Sequence, residues 1–112
     1  SKAEVAEIWI TFPDPQIKFK RTKHRLTHPE FLNKYKKILH PSGSVHLKTD
    51  SEFLHGYTLG ILNDPAYELR YAHNDIYNNS QAPKAATGVQ TFYEKIFLRE
   101  NKPITYLEFQ FN

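Results

Sequence analysis

The chain has no cysteine, which excludes disulfides, thiolate metal sites and cysteine nucleophiles. No apolar run approaches the ~20 residues of a membrane-spanning helix. There is no glycine-rich phosphate-binding motif and no Ser-His-Asp pattern that would support nucleophilic catalysis. No secretory signal is visible either, so a cytosolic protein without a membrane partner is expected. Charge of one sign is also scarce. Fifteen Lys and Arg against twelve Asp and Glu leave a formal charge of +3, which carries meaning only where it is clustered.

What is present suits one small domain. The 112 residues are 39% hydrophobic and 14% aromatic, enough to support a packed core. The first residue is Ser1, and a strand-like run starts at Ile8, so the chain is expected to begin inside a fold, as a piece of a longer protein.

Ile8-Trp9-Ile10-Thr11-Phe12 is a continuous run of β-formers and predicts a strand buried on both faces. Pro13-Asp14-Pro15 stops it. A basic stretch follows, with Lys18, Lys20, Arg21, Lys23, His24 and Arg25. Thr27-His28-Pro29-Glu30 has the form of a capping box with proline in the first turn. The helix behind it aligns Phe31, Leu32, Tyr35, Ile38 and Leu39 on one face, with Pro41 and Gly43 as its end.

Val45 to Thr49 predicts a short strand, and Asp50 or Ser51 caps a helix carrying Phe53, Leu54, Tyr57, Ile61 and Leu62. Tyr67, Leu69 and Tyr71 alternate with Glu68 and Arg70, as in a further strand. Asn78 to Gly88 is polar and predicts a long loop. Thr91 to Glu100 predicts a helix, with Thr91 and Glu94 again in capping-box spacing, and Ile104 to Phe111 a final strand. This alternation implies an α/β sheet. The first three strands fit parallel crossovers, and the short last connection fits an antiparallel final strand.

Ligands of open α/β sheets bind beyond the carboxyl ends of the strands. Asp14 and Asp50 both follow strands and would share a rim if those strands are parallel neighbours. Asp50 has the alternative of a helix cap. Asp14 sits between two prolines in a stiff loop, which suits ligand recognition, with a plain turn residue as the alternative. The basic stretch directly after Asp14 is placed to hold phosphates beside a reacting base, whereas as a bare charge run it is solvated surface. His24 and His28 are separated by the helix start, and no carboxylate completes a metal set, so no metal is expected.

The run Ile10-Thr11-Phe12-Pro13-Asp14-Pro15, then Lys18 and the basic cluster ending Arg25-Leu26-Thr27, resembles the tRNA (guanine-N7-)-methyltransferases. Pro29-Glu30-Phe31-Leu32, the Thr49-Asp50 pair and the Thr91-Phe92-Tyr93-Glu94 segment extend the resemblance across nearly the whole chain, in the right order. Gln16, His24 and Tyr93 depart from the family pattern. The resemblance implies the C-terminal half of a Rossmann-like class I S-adenosylmethionine-dependent methyltransferase fold, with a mixed sheet and an antiparallel last strand. It also implies Asp14 as the principal catalytic-site acid, in contact with the S-adenosyl-L-methionine cofactor. Lys18, Asp50, Thr91, Phe92, Tyr93 and Glu94 would contact the substrate nucleotide. Lys20, Arg21, Thr22, Lys23, His24 and Arg25 would contact the tRNA. The family's glycine-rich cofactor loop is expected upstream of Ser1. The rival readings are a non-enzymatic RNA-binding α/β module and a methyltransferase acting on another substrate class.

Overall fold

The computed structural model describes residues 5–78, 82–88, 92–100 and 102–112, without the side chains of Ala85, Phe92 and Tyr93. Four strands, β1 (Val5–Thr11), β2 (Leu39–Thr49), β3 (Tyr67–His73) and β4 (Thr105–Phe111), form one mixed sheet in the order β1-β2-β4-β3. β1 and β2 are parallel, and β4 runs antiparallel to both β2 and β3. The helices are α1 (Pro29–Ile38), α2 (Glu52–Ile61), α3 (Lys84–Thr87) and α4 (Phe92–Arg99), with short 3-10 segments at Phe19–His24 and Ile76–Asn78. The antiparallel last strand is thus present, inserted between β2 and β3, so that β3 pairs with β4 and not with its predecessor.

The sheet buries its faces differently because side chains alternate along each strand. Val45 and Leu47 of β2, with Leu107 and Phe109 of β4, face α1 and α2 and pack with Leu32 and Leu54. Each such fully buried side chain stabilises by about 1.5–3 kcal/mol relative to exposure. On the other face His46 stacks against Trp9 at 4.0 Å between ring centroids and hydrogen-bonds Tyr106 Oη at 2.7 Å and Glu7 Oε1 at 2.9 Å. Further along that face, Ile76, Ala86, Ile104 and Tyr106 form a second apolar cluster with Phe12 and Phe97.

Several local expectations are corrected. β1 is not buried on both faces: Ile10 is buried in the core on the α1 and α2 face, but Trp9, on the opposite face, is 38% exposed, and Val5 is 39% exposed. His28, not Thr27, caps α1, its Nδ1 accepting from the Glu30 amide at 3.1 Å. Thr27 is engaged elsewhere. Thr58 donates its hydroxyl hydrogen to the Leu54 carbonyl at 2.8 Å, so Thr27 is the donor in the buried 2.7 Å contact between the two hydroxyls. That bond ties the start of α1 to α2. α1 ends at Ile38, which is half exposed, and Leu39, Pro41 and Gly43 belong to β2. The stretch from Asn78 to Gly88, expected as a loop, follows the 3-10 turn Ile76–Asn78 and contains α3, and its residues 79–81 lie outside the described residues, as does Thr91 of the second capping box.

Gly43 lies where the register between β1 and β2 shifts. A Cβ there would stand 2.7 Å from the Ala6 carbonyl oxygen and 2.7 Å from Leu39 Cγ. Gly43→Ala is therefore expected to destabilise the protein by about 1–3 kcal/mol, as overpacking does. Thermal unfolding measures this, and an unchanged Tm would mean that β1 has room to move aside.

Candidate functional site

Parallel pairing brings the carboxyl ends of β1 and β2 to one rim. Thr11 is in register with Lys48, and the Phe12 amide donates to the Lys48 carbonyl at 2.8 Å. Beyond that rung the chain turns through Pro13-Asp14-Pro15. Phe12 (φ 51°) and Gln16 (φ 49°) bracket the turn in left-handed backbone, rare for residues with a Cβ and costing about 1–3 kcal/mol each. The Gln16 amide donates to Asp14 Oδ1 at 2.9 Å, and Asp14 itself is exposed.

Arg25 holds this loop. Its Nε donates to the Gln16 carbonyl at 3.0 Å and its Nη2 to the Ile17 carbonyl at 3.3 Å. The guanidinium lies 4.8 Å from the Phe53 ring centroid and 4.6 Å from that of Tyr57, and the residue is only 5% exposed. Arg25, expected from the sequence among the residues that contact the tRNA, is thus placed inside the fold. A planar fork of donors matches two backbone carbonyls and stacks on aromatic faces, so its charge is turned inward and not offered at the surface.

The rest of the basic stretch points the other way. Lys18, Lys20, Arg21, Lys23 and His24 are exposed, and among the described residues none of them enters an ion pair. Phe19–His24 form a 3-10 helix, begun by the Arg21 amide on the Lys18 carbonyl at 2.8 Å. Thr22 is half-buried and donates its hydroxyl to the Phe19 carbonyl. A cleft of about 340 Å³ is lined by Asp14, Pro15, Gln16, Ile17, Lys18 and Arg21, so a carboxylate and two cations share one recess.

At the end of β2, Ser51 caps α2 by accepting from the Leu54 amide at 3.1 Å. Asp50 is left half-buried on the rim and out of the capping role. Lys48 points to the face opposite α2. It is 3% exposed and donates to Glu94 Oε2 at 2.9 Å, and the Tyr77 hydroxyl donates to the same oxygen. Glu94 is fully buried, and its α4 reaches the rim through the packing of Phe97 against Phe12 at 5.5 Å. Burial first, and then the bond to Glu94, push the Tyr77 phenol well above its ordinary pKa, so it stays a donor. Phe92 and Tyr93 lie in α4, while Thr91 lies outside the described residues.

The rim therefore collects the sequence-predicted Asp14, Lys18 and Asp50, with Glu94 enclosed behind them. Among the described residues no group of three or more His, Asp or Glu is placed to hold a metal ion. The family model described as "Putative methyltransferase" matches residues 1–107. The chain belongs to this methyltransferase family.

Membership implies a methyl donor. The chain is 63% identical over 107 residues to the tRNA (guanine-N(7)-)-methyltransferase of Christiangramia forsetii, covering 96% of this chain and 48% of the relative. It is 39% identical over 109 residues to the protein of that name from Porphyromonas gingivalis, covering 97% and 44%. For Listeria monocytogenes the values are 35% over 111 residues, 99% and 50%. The chain thus spans about half the length of the curated relatives it matches. Among the described residues no helix is long and apolar enough to cross a membrane.

Two participants escaped the sequence reading. Lys48 is a lone charge within the strand run Val45 to Thr49, which is itself a signal that a buried partner exists. Tyr77 sits in a polar stretch with no periodicity to mark it. Removing one partner of a buried ion pair leaves an uncompensated charge, whereas removing both charges is often neutral. Lys48→Met is expected to destabilise by about 3–5 kcal/mol. Lys48→Met combined with Glu94→Gln, which keeps an acceptor for Tyr77, is expected to recover most of that loss. Denaturant unfolding of the two variants decides, and a Lys48→Met variant as stable as wild type would show that the pair locks nothing.

Proposed function

We propose that this chain is the substrate-side half of an S-adenosylmethionine-dependent tRNA (guanine-N7-)-methyltransferase acting in the cytoplasm. The carrying observation is the cleft in which the exposed Asp14 carboxylate, held by a strained loop, stands beside Lys18 and Arg21. An acid there accepts from the donors of a base while cations hold its phosphates. The names of the relatives supply the reaction and the substrate for this reading.

Guanine N7 carries an in-plane lone pair and needs no deprotonation. When bound, the donor supplies an electrophilic methyl on sulfur, and what remains is alignment. Asp14 accepts hydrogen bonds from guanine N1–H and the exocyclic amine, a donor pair that adenine lacks. Its Oδ1 is already engaged by the Gln16 amide, which sets the carboxylate's orientation before the base arrives. Lys18 contacts the same nucleotide. Lys20, Arg21, Thr22, Lys23 and His24 hold the tRNA backbone, which positions the substrate without reading its sequence. Asp50 meets the nucleotide at the rim, the resemblance to the family adds Thr91, Phe92 and Tyr93 as substrate contacts, and the buried Glu94, held by Lys48 and Tyr77, supports the site from behind. The reacting base leaves its stack to reach the rim.

Among the described residues, one point fits the cofactor. Asp14 offers a carboxylate at the rim, whereas Gly43 lies at the start of β2 and Gly56 and Gly60 within α2, away from the β1 end, and they form no cradle there. The cradle is assigned to the other half of the intact enzyme.

In the intact enzyme, Asp14→Asn is expected to keep the Gln16 contact through its carbonyl oxygen and to present an amide donor to guanine's donors. A hydrogen bond to a charged group contributes about 1.5–3 kcal/mol, so kcat/KM for tRNA should fall about tenfold to a hundredfold with tRNA affinity little changed. A wild-type rate would reduce Asp14 to a turn residue. Changing Lys20, Arg21 and Lys23 together to Ala should weaken tRNA binding and flatten its log-log salt slope by roughly 0.7–0.9 for each phosphate that is no longer neutralised. An unchanged slope would make the stretch solvated surface.

A further inference from the structure

Phe19 is 92% exposed, in the middle of the cationic stretch and at the start of its 3-10 helix. A lone exposed apolar residue is ordinary on a protein surface. An aromatic ring presented almost whole, with lysines on both sides in sequence, is not the usual make-up of a solvated charge run. The local geometry sharpens the point. In a 3-10 helix side chains three apart eclipse one another, so Phe19 shares a side with Thr22, Lys20 with Lys23 and Arg21 with His24. The helix consequently divides two recesses. Arg21 and Lys18 line the cleft that contains Asp14. Phe19, Lys20, Thr22, Lys23 and His28 line a separate cleft of about 270 Å³ on the other side.

We propose that Phe19 is a stacking platform for a nucleobase of the tRNA other than the reacting guanine, with Lys20 and Lys23 holding the phosphates that flank it. This rests on the RNA reading of the basic stretch and adds a second base contact outside the Asp14 cleft. Charge complementarity selects the occupant. A protein segment covering the ring would also desolvate Lys20 and Lys23, and each buried cation then needs its own acid. An RNA strand supplies both needs at once, since its phosphates meet the lysines and its base offers a flat face to the ring. Stacking on an aromatic side chain is tolerant of base identity, so this contact adds affinity and register, not sequence preference. It requires a nucleotide that is not buried in a duplex stack, which folded tRNA presents in its loops and at its junctions.

The test uses the intact enzyme, with unmodified tRNA transcript as the probe. Phe19→Ala should raise the tRNA dissociation constant about tenfold, leave kcat at saturating tRNA unchanged, and leave both Tm and the salt slope at wild-type values. Phe19→Trp should bind as tightly as wild type or tighter, while Phe19→Leu, apolar but without a π face, should behave like Phe19→Ala. Wild-type affinity of Phe19→Ala would overturn the proposal. So would full rescue by Phe19→Leu, which would signify simple apolar packing. A lowered Tm with unchanged tRNA affinity would overturn it as well, because the ring would then be covered by protein. The Lys20, Arg21 and Lys23 variant separates the two claims. A flattened salt slope there with no effect at Phe19 removes the stacking contact and leaves the RNA surface, whereas no effect at either removes the surface itself.

Discussion

The parallel pairing of β1 with β2 is the constraint on which the rim depends. A parallel ladder makes both strands end on the same side, so the loops that leave them become neighbours. The last rung, Phe12 to Lys48, couples the two loops directly. On one side of it the chain enters the Asp14 turn. On the other, the next residues are Thr49, Asp50 and the Ser51 cap of α2. The residue that accepts this rung also sends its side chain to Glu94, so α4 is drawn to the same end of the sheet.

The cations of this chain divide into two populations that composition does not distinguish. Arg25 and Lys48 are buried, each against definite partners: backbone carbonyls and aromatic faces for Arg25, a carboxylate for Lys48. Lys18, Lys20, Arg21, Lys23 and His24 remain at the surface. The exposed set relies on the buried one for its placement. Arg25 clamps the carbonyls of Gln16 and Ile17, immediately before the basic helix, and so sets the position from which that helix starts. The left-handed residues at Phe12 and Gln16 persist because these contacts over-determine the loop.

Much of the fold was legible because its signals are local. The apolar periodicity of α1 and α2, the breaker Pro13-Asp14-Pro15 and the alternation in β3 each depend on neighbours in sequence. Where residues compete for one role, local reading chose wrongly. Thr27 has the better capping chemistry, but a partner 31 residues away, Thr58, takes its hydroxyl, and His28 caps instead. For α2 the sequence left Asp50 and Ser51 open, and Ser51 takes the cap, which leaves the Asp50 carboxylate on the rim. The apolar run of β1 suggested burial on both faces, yet burial depends on what packs over each face, and only the Ile10 face meets the core shared with α1 and α2.

By itself the sequence determined the kinds of element, their order, the acid between two prolines and the cationic stretch after it, because propensity, turn chemistry and charge reside in adjacent residues. Only the tertiary structure decided that β4 inserts between β2 and β3, that Arg25 faces inward while its neighbours face out, and that Lys48, Tyr77 and Glu94 meet. Those outcomes turn on which distant surfaces exclude water together. A buried charge takes whichever partner the packing brings within reach, and no pattern of neighbours along the chain encodes that partner's identity.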